Sequence, residues 1–459
     1  MIVMKFGGTS VQDAPAIEHV AEIVRGKLRQ RPVVVVSAMA RVTDGLLKAA
    51  RLAGGRQFQE AATVIEDLRD RHLATAAALL HAAPAELDQV ESALTEYSDE
   101  LIGLTRSIAT LGELTPRSLD AISSFGERLS SLIVAAAFRA GGIHAELVDS
   151  RRLLMTDSNF NQAAPDLLAT EHAADQLLRP IVESGHVPVA QGFIGSNPEG
   201  ITTTIGRGGG DYSAAVFGAA LRADAIEIWT DVDGMMTADP RVVPGARRIR
   251  VVSFAEAAEL AYFGAKVLHP STVLPAVERS IPVHIYNTRN PSSEGTLIVA
   301  EPKRTAGAIK SIAFKRGITI VNVASTRMIM AHGFLRSIFE VFDRRHTSID
   351  VVTTAEASVS MTIDSAERVD SIQEDLSGVG DVSVEPGKAI VCVVGDNLKS
   401  TPGVAARVFK ALGNINVNMV SQGASEINLT FVINEDEVER AVRLLHVEFF
   451  NDCDPEVFA

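Results

Sequence analysis

Apolar positions fall into two regimes along the chain. Over the first three hundred residues, short β-branched runs alternate with longer stretches at helical spacing. Residues 1–5 read as a strand and 14–29 as a helix. The unbroken run Val33-Val34-Val35-Val36, within 32–37, predicts a strand buried on both faces. Residues 46–111 are rich in Ala, Leu and Glu and read as helices with a break near Ala83-Pro84; 118–140 reads as one further helix. Strands at 145–148, 187–190, 225–229 and 283–286 then alternate with helices at 177–183, 211–221 and 254–263. This succession predicts an α/β domain built on an open, mostly parallel sheet flanked by helices on both faces.

After about Pro302 the elements shorten and the pattern repeats itself. Gly333 to Phe342 and Gly403 to Leu412 each open a helix. Strands follow at 349–352 and 358–363 in one copy, and at 417–420 and 426–432 in the other. Helices at 367–376 and 435–445 close the two copies. The result is a ferredoxin-like βαββαβ unit present twice, offset by roughly seventy residues. The expected division is one large domain over 1–300 and two small units over 310–385 and 386–459. Small paired units of this kind behind a catalytic domain are, by analogy, sensors.

Composition narrows the function. The chain has 459 residues, 46% of them hydrophobic, enough for more than one core. Its net charge of −14, from 57 acidic and 43 basic side chains, argues against nucleic acid as a main partner. One Trp and four Tyr offer no base-stacking platform. Of the two cysteines, Cys392 lies in the apolar run 389–394 and reads as a packed thiol. Neither a disulfide framework nor a zinc site is expected, so a reducing, cytoplasmic compartment is. Nor is a signal peptide, a membrane-spanning segment or a membrane partner.

The candidate chemistry sits in glycine-rich loops. Lys5-Phe6-Gly7-Gly8-Thr9-Ser10 follows the first strand. Glycines let backbone N–H groups approach phosphate oxygens, and a lysine supplies positive charge. Alone, the hexapeptide fits either a polyphosphate cradle or an ordinary turn with a surface lysine. Gly206-Arg207-Gly208-Gly209-Gly210-Asp211 precedes a helix and adds an anion-binding Arg; Asp211 reads as an N-cap or as a carboxylate facing the site. Thr230 and Asp231 end a strand at a carboxyl edge, where open α/β sheets bind ligands. Lys266 in Phe263-Gly264-Ala265-Lys266 fits a phosphate contact or a helix C-terminal cation, and Glu127 fits a helix-start acid.

The ordered set KFGGTSV, SAMARVTD, SFGERLS, GRGGGDYSAA, IWTDVDGMMTADPRV and FGAKVLHP resembles the aspartate kinases of the amino-acid kinase family. The C-terminal pair resembles their ACT regulatory domains, down to VNMVSQGASEINLTFVI. The resemblance implies ATP-dependent phosphorylation of the side-chain carboxylate of L-aspartate, with Mg²⁺. By it, Lys5 and Asp211 are the catalytic pair: Lys5 stabilises the transferring phosphoryl group and Asp211 organises that lysine. Ser37, Thr43, Glu127 and Arg207 hold the amino acid, Glu127 at the α-ammonium and Arg207 at the α-carboxylate. Lys5, Phe6, Gly7, Gly8, Thr230, Asp231, Met236, Arg241, Lys266 and Val267 hold ATP. Met328, Gly333, Phe334, Leu335, Ile349, Asp350, Thr354 and Glu356 match the positions that bind an amino-acid effector, lysine or threonine. The chain departs from the pattern at Gly210, where Ser is common, and at Met236, where Tyr is common. Ala331 and Ala355 replace hydroxyl residues. A homodimer through the ACT units is expected, and no fused homoserine dehydrogenase after Ala459. A glutamate kinase and a non-catalytic amino-acid sensor are the competing readings.

Overall fold

The computed structural model describes residues 1–264, 270–302, 309–325, 332–364, 366–451 and 454–459. Lys266, Val267, Met328, Ala331 and Cys453 lie outside them. Two compact units result. The first takes in residues 1–235, 251–254 and 267–301, and the second 236–250, 255–266 and 302–459.

The first unit is built on an eight-stranded sheet. Its strands are β1 (Ile2–Phe6), β2 (Pro32–Val36), β3 (Ala145–Val148), β4 (Val187–Gln191), β7 (Ala225–Thr230), β8 (Val251–Ser253), β9 (Val283–Asn287) and β10 (Thr296–Val299). The order is β3-β4-β2-β1-β7-β9-β10-β8. All pairings are parallel except β9 with β10. A separate antiparallel hairpin joins β5 (Ile194–Ser196) to β6 (Thr202–Thr204). The expected mostly parallel sheet is present, and Val33 to Val36 are fully buried, as helices on both faces require.

The helices start where local chemistry caps them. Asp13 accepts from the Ala16 N–H to open α1 (Ala14–Lys27), with Pro15 in its first turn. α2 (Val42–Gly54), α3 (Phe58–Leu80) and α4 (Pro84–Leu111) make up the helical stretch, with an extra break at 55–57. Thr115 caps α5 (Pro116–Ser123) by accepting from the Ser118 N–H. The helix expected over 118–140 is divided, because Ser124 separates α5 from α6 (Phe125–Ala140). Ser123 and Ser124 turn their hydroxyls onto carbonyls of the preceding turn, a contact that bends helices. Residues 116–140 pass for a bilayer-spanning helix by length and composition alone. Asp120, Glu127 and Arg128, all buried within it, mark it as a core element. α7 (Leu167–Leu177), α8 (Arg179–Glu183), α9 (Gly209–Leu221) and α11 (Leu274–Glu278) complete the helices of this unit.

The second unit carries α10 (Phe254–Tyr262) from Ala255 onward and one six-stranded antiparallel sheet. Its strands are β11 (Ile309–Ala324), β12 (Val352–Thr354), β13 (Ser358–Ile363), β14 (Asp381–Gly395), β15 (Met419–Gln422) and β16 (Asn428–Asn434). The order is β12-β13-β11-β14-β16-β15. Helices α12 (Phe334–Arg344), α13 (Val369–Leu376), α14 (Val404–Leu412) and α15 (Val438–Phe450) cover it. The two repeats share their long strands. Residues 318–324 of β11 pair with 381–388 of β14 inside the first repeat. Residues 309–315 pair with 390–395, closing the second repeat instead. The register shifts between Lys315 and Ile318, where Gly317 takes a positive φ of 72°. Cys392 is fully buried on β14, and burial pushes its thiol up to about 12.

Candidate active site

The site of the first unit lies along the carboxyl edge of the parallel sheet. Hydrogen bonds carry the ladder one residue past each strand. Gly7 N–H donates to Trp229 O (3.1 Å), Ser37 N–H to Phe6 O (3.1 Å), Gly192 N–H to Val36 O (2.8 Å) and Thr288 N–H to Thr230 O (2.8 Å). The loops after β1, β2, β4, β7 and β9 therefore stand in one row, where open α/β sheets bind ligands. Gly8 packs under the β2 loop: a Cβ there would sit 2.8 Å from the Ala38 carbonyl oxygen. Phe6 stacks on Trp229 at 5.9 Å between centroids, and Trp229 Nε1 donates to the buried Glu227 (3.0 Å). The strand ends that carry this loop are thus joined by aromatic packing.

Lys5 is the last but one residue of β1, and its ammonium lies 2.6 Å from Asp211 Oδ1. Both side chains are almost buried, at 12% and 13% exposed. The expectation that Asp211 is an N-cap is corrected here. Gly208, at φ 75°, takes the N-cap, and the helix begins two residues before Asp211. Asp211 occupies the first turn instead, where its carboxylate is free to face Lys5. Gly210 lies against the same group: a Cβ there would come within 2.9 Å of Ser37 Oγ and 3.0 Å of Lys5 Cε. Lys5, Ser37, Gly210 and Asp211 are therefore brought together.

Glu127 opens α6 and is 4% exposed. Its Oε1 accepts from the Ala38 N–H at 3.1 Å, tying α6 to the β2 loop. Its Oε2 is buried without a hydrogen-bond partner among the described residues. Burial pushes the carboxyl up to about 7, against the Ala38 N–H and the charge of Lys5. An orphaned buried carboxylate oxygen invites a cation from a ligand. Thr43 lies in the first turn of α2, beside Gly126. Arg207, between positive-φ glycines 206 and 208, is exposed and has no ionic partner among the described residues.

Of the positions expected to hold nucleotide, Thr230 ends β7 on the same edge and Asp231 follows it, with the Thr230 hydroxyl 3.3 Å from Asp231 Oδ1. Met236 and Arg241 belong to the second unit, where Arg241 pairs with Asp239 (2.6 Å) and is largely exposed. Sequence reading missed Phe193 and Asp120. Phe193 holds a positive φ of 67° after β4, and a Cβ on Gly209 would come within 2.7 Å of its ring. A Phe after Gln191-Gly192 carries no signal of that strain. Asp120 is the one acid of the short helix α5.

In the second unit, Asp350 is 3% exposed and paired with Lys315 at 3.1 Å. The Tyr262 hydroxyl also donates to it, at 2.5 Å. Burial and this bond push the Tyr262 phenol above its ordinary range. Gly333 is the N-cap of α12, Phe334 is buried, Ile349 is half-buried, and Leu335, Thr354 and Glu356 are exposed.

A lysine and glycines at a strand end, a buried acid and an exposed arginine on a second glycine loop fit a phosphotransferase for a small anionic acceptor. Comparison with known proteins agrees. Residues 1–287 match the amino acid kinase family and residues 391–449 an ACT domain. The lysine-sensitive aspartokinase 3 of Escherichia coli is 36% identical over 98% of this chain and 99% of its own. The chloroplastic aspartokinase 1 of Arabidopsis thaliana is 36% identical over 98% of this chain and 80% of its own. The structure of E. coli aspartokinase III with aspartate and ADP, called the R-state, superposes with a TM-score of 0.85 at 35% identity, covering 98% and 100% of the two chains. The same enzyme with lysine and aspartate, called the T-state, gives 0.84 at 36% identity and the same coverage. The chain belongs to the amino acid kinase family, within its aspartokinases.

Proposed function

We propose that this enzyme transfers the γ-phosphoryl group of ATP to the side-chain carboxylate of L-aspartate, giving 4-phospho-L-aspartate. The observation that carries the reading is the 2.6 Å Lys5–Asp211 pair at the head of β1, beside Gly7 and Gly8. The acceptor is already an anion at neutral pH, so no general base is needed. Catalysis reduces to aligning two anions and neutralising the charge between them. Lys5 meets the moving phosphoryl group while Asp211 fixes its direction. Glu127, with its unpartnered oxygen, takes the α-ammonium. Arg207 takes the α-carboxylate, for which a planar two-pronged donor is suited. Ser37 and Thr43 line the same pocket. Phe6, Gly7, Gly8, Thr230, Asp231, Met236, Arg241, Lys266 and Val267 hold the nucleotide.

Mg²⁺ accompanies the nucleotide. Among the described residues no three His, Cys, Asp or Glu side chains converge on one point. This suits an ion held mainly by phosphate oxygens and water. We further assign lysine as the feedback effector, with threonine the alternative, bound at Met328, Gly333, Phe334, Leu335, Ile349, Asp350, Thr354 and Glu356. The likeness to a lysine-sensitive relative supports this. A catalytic domain over 1–300, ACT units over 310–385 and 386–459, a homodimer through those units and a cytoplasmic location complete the reading. The test is incubation with Mg-ATP and a panel of acceptor amino acids, trapping acyl phosphate with hydroxylamine. Aspartyl hydroxamate is expected, suppressed by lysine. Preferential turnover of glutamate, or no hydroxamate at all, refutes the assignment.

A further inference from the structure

We propose that Asp120 is a positioning residue that sets the spacing between Glu127 and Arg207. The inference rests on the roles given to those two residues above. Asp120 is fully buried on α5. Its Oδ1 accepts from the Thr204 hydroxyl at 2.6 Å, and its Oδ2 from the backbone N–H groups of Thr204 (3.0 Å) and Asn161 (2.9 Å). Both partners shape the Arg207 loop. Thr204 ends β6, and the chain runs on through Ile205 and Gly206 to Arg207. Asn161 turns with a φ of 71°, and its carbonyl lies against Gly206, where a Cβ would come within 3.1 Å.

On its other side, Asp120 is joined through α5 and Ser124 to Glu127 in the first turn of α6. One short helical stretch thus carries the group that meets the ammonium and the anchor of the loop that meets the carboxylate. Burying a carboxylate is costly, and an apolar side chain would fill the space more cheaply. What the carboxylate supplies is three acceptor directions at once. An α-amino acid is recognised by two charges at a fixed separation, and small misplacements of such groups are expensive in rate. The phosphate side stands on β1 and β7, with no hydrogen bond to Asp120, Thr204 or Asn161 among the described residues.

The test separates acceptor from nucleotide. Asp120→Ala removes all three acceptors; KM for L-aspartate is expected to rise ~10-fold or more, with KM for ATP within ~2-fold. Asp120→Asn can present its oxygen to the two N–H groups and its NH₂ to the Thr204 hydroxyl, which then accepts; KM for L-aspartate should stay within ~3-fold of the unsubstituted value. Thr204→Val keeps the shape and removes one bond, giving a ~3- to 5-fold rise, and serves where the Ala variant fails to fold. Three outcomes overturn the inference while leaving the proposed function intact: both KM values rising together, neither moving while only the melting temperature falls, or the Asn variant being as impaired as the Ala variant. An unsubstituted protein that forms no acyl phosphate from aspartate overturns the proposed function, and this inference with it.

Discussion

Glu127 should make the binding of L-aspartate, and not of ATP, depend on pH. Its carboxyl moves from an ordinary 4.5 to about 7 on burial, a displacement of about 3 kcal/mol between its two protonation states. Only the ionised form can hold an ammonium. With a value near 7, about one free site in eleven is ionised at pH 6 and about ten in eleven at pH 8. KM for L-aspartate is therefore expected to be about tenfold higher at pH 6 than at pH 8. The side-chain carboxyl of aspartate, near 3.9, is ionised throughout that window. Initial rates followed by ADP release, with coupling enzymes in excess from pH 6 to 8.5, measure this directly. KM for ATP serves as the internal control. Glu127→Gln cannot ionise, so its KM should be raised and level with pH.

The same carboxyl also links pH to stability. Its folded pKa lies above its unfolded value, so the folded chain keeps a proton that the unfolded chain releases. Stability then falls as pH rises from about 4.5 to about 7 and is level above. Over that interval the stability difference should shift toward Glu127→Gln by up to about 3 kcal/mol, read by denaturant titration at both ends. A KM for L-aspartate that is constant between pH 6 and 8, or a Gln variant that keeps the slope, refutes the reasoning.

Three further outcomes follow from the same geometry. Lys5→Ala should lower kcat at least ~100-fold, since it removes the charge aimed at the phosphoryl group and leaves Asp211 unpaired. Lysine binding by calorimetry should be unaffected, and substantial residual turnover contradicts the role of Lys5. Asp350→Ala should raise the half-inhibitory lysine concentration ~10-fold or more while kcat without effector stays within ~2-fold; unchanged inhibition removes Asp350 from the effector site. Gly264→Ala should destabilise the second unit by ~2 kcal/mol or more, because the backbone holds φ 127° and a Cβ would collide with the Phe314 carbonyl oxygen. A melting temperature equal to that of the unsubstituted protein counts against that packing.

The strands and the site residues were not equally legible, and the difference is physical. β2 announces itself because a strand buried on both faces must be apolar throughout, and β9 because its buried positions alternate. The hairpin of β5 and β6 does not: three residues each, with Thr202, Thr203 and Thr204 in one strand, carry no period to read. Lys5, Gly7, Gly8 and Arg207 stand out as candidates because glycines beside a cation are what a phosphate or carboxylate contact calls for. Asp211 was visible as an acid near a helix start, but its assignment as cap failed because Gly208, in the left-handed region, takes the cap three residues earlier. The strand exchange at 309–315 is invisible to a repeat-based reading, which sees each copy as self-contained. Which copy those residues close is decided by the partner offered across the sheet, 390–395 of β14. Asp120 is the extreme case. Its three donors lie 41 and 84 residues away, so a single acid in a short helix gives no local sign of what it holds. Consecutive residues report the chemistry of a loop, whereas the spacing between two loops depends on contacts that only the folded chain creates.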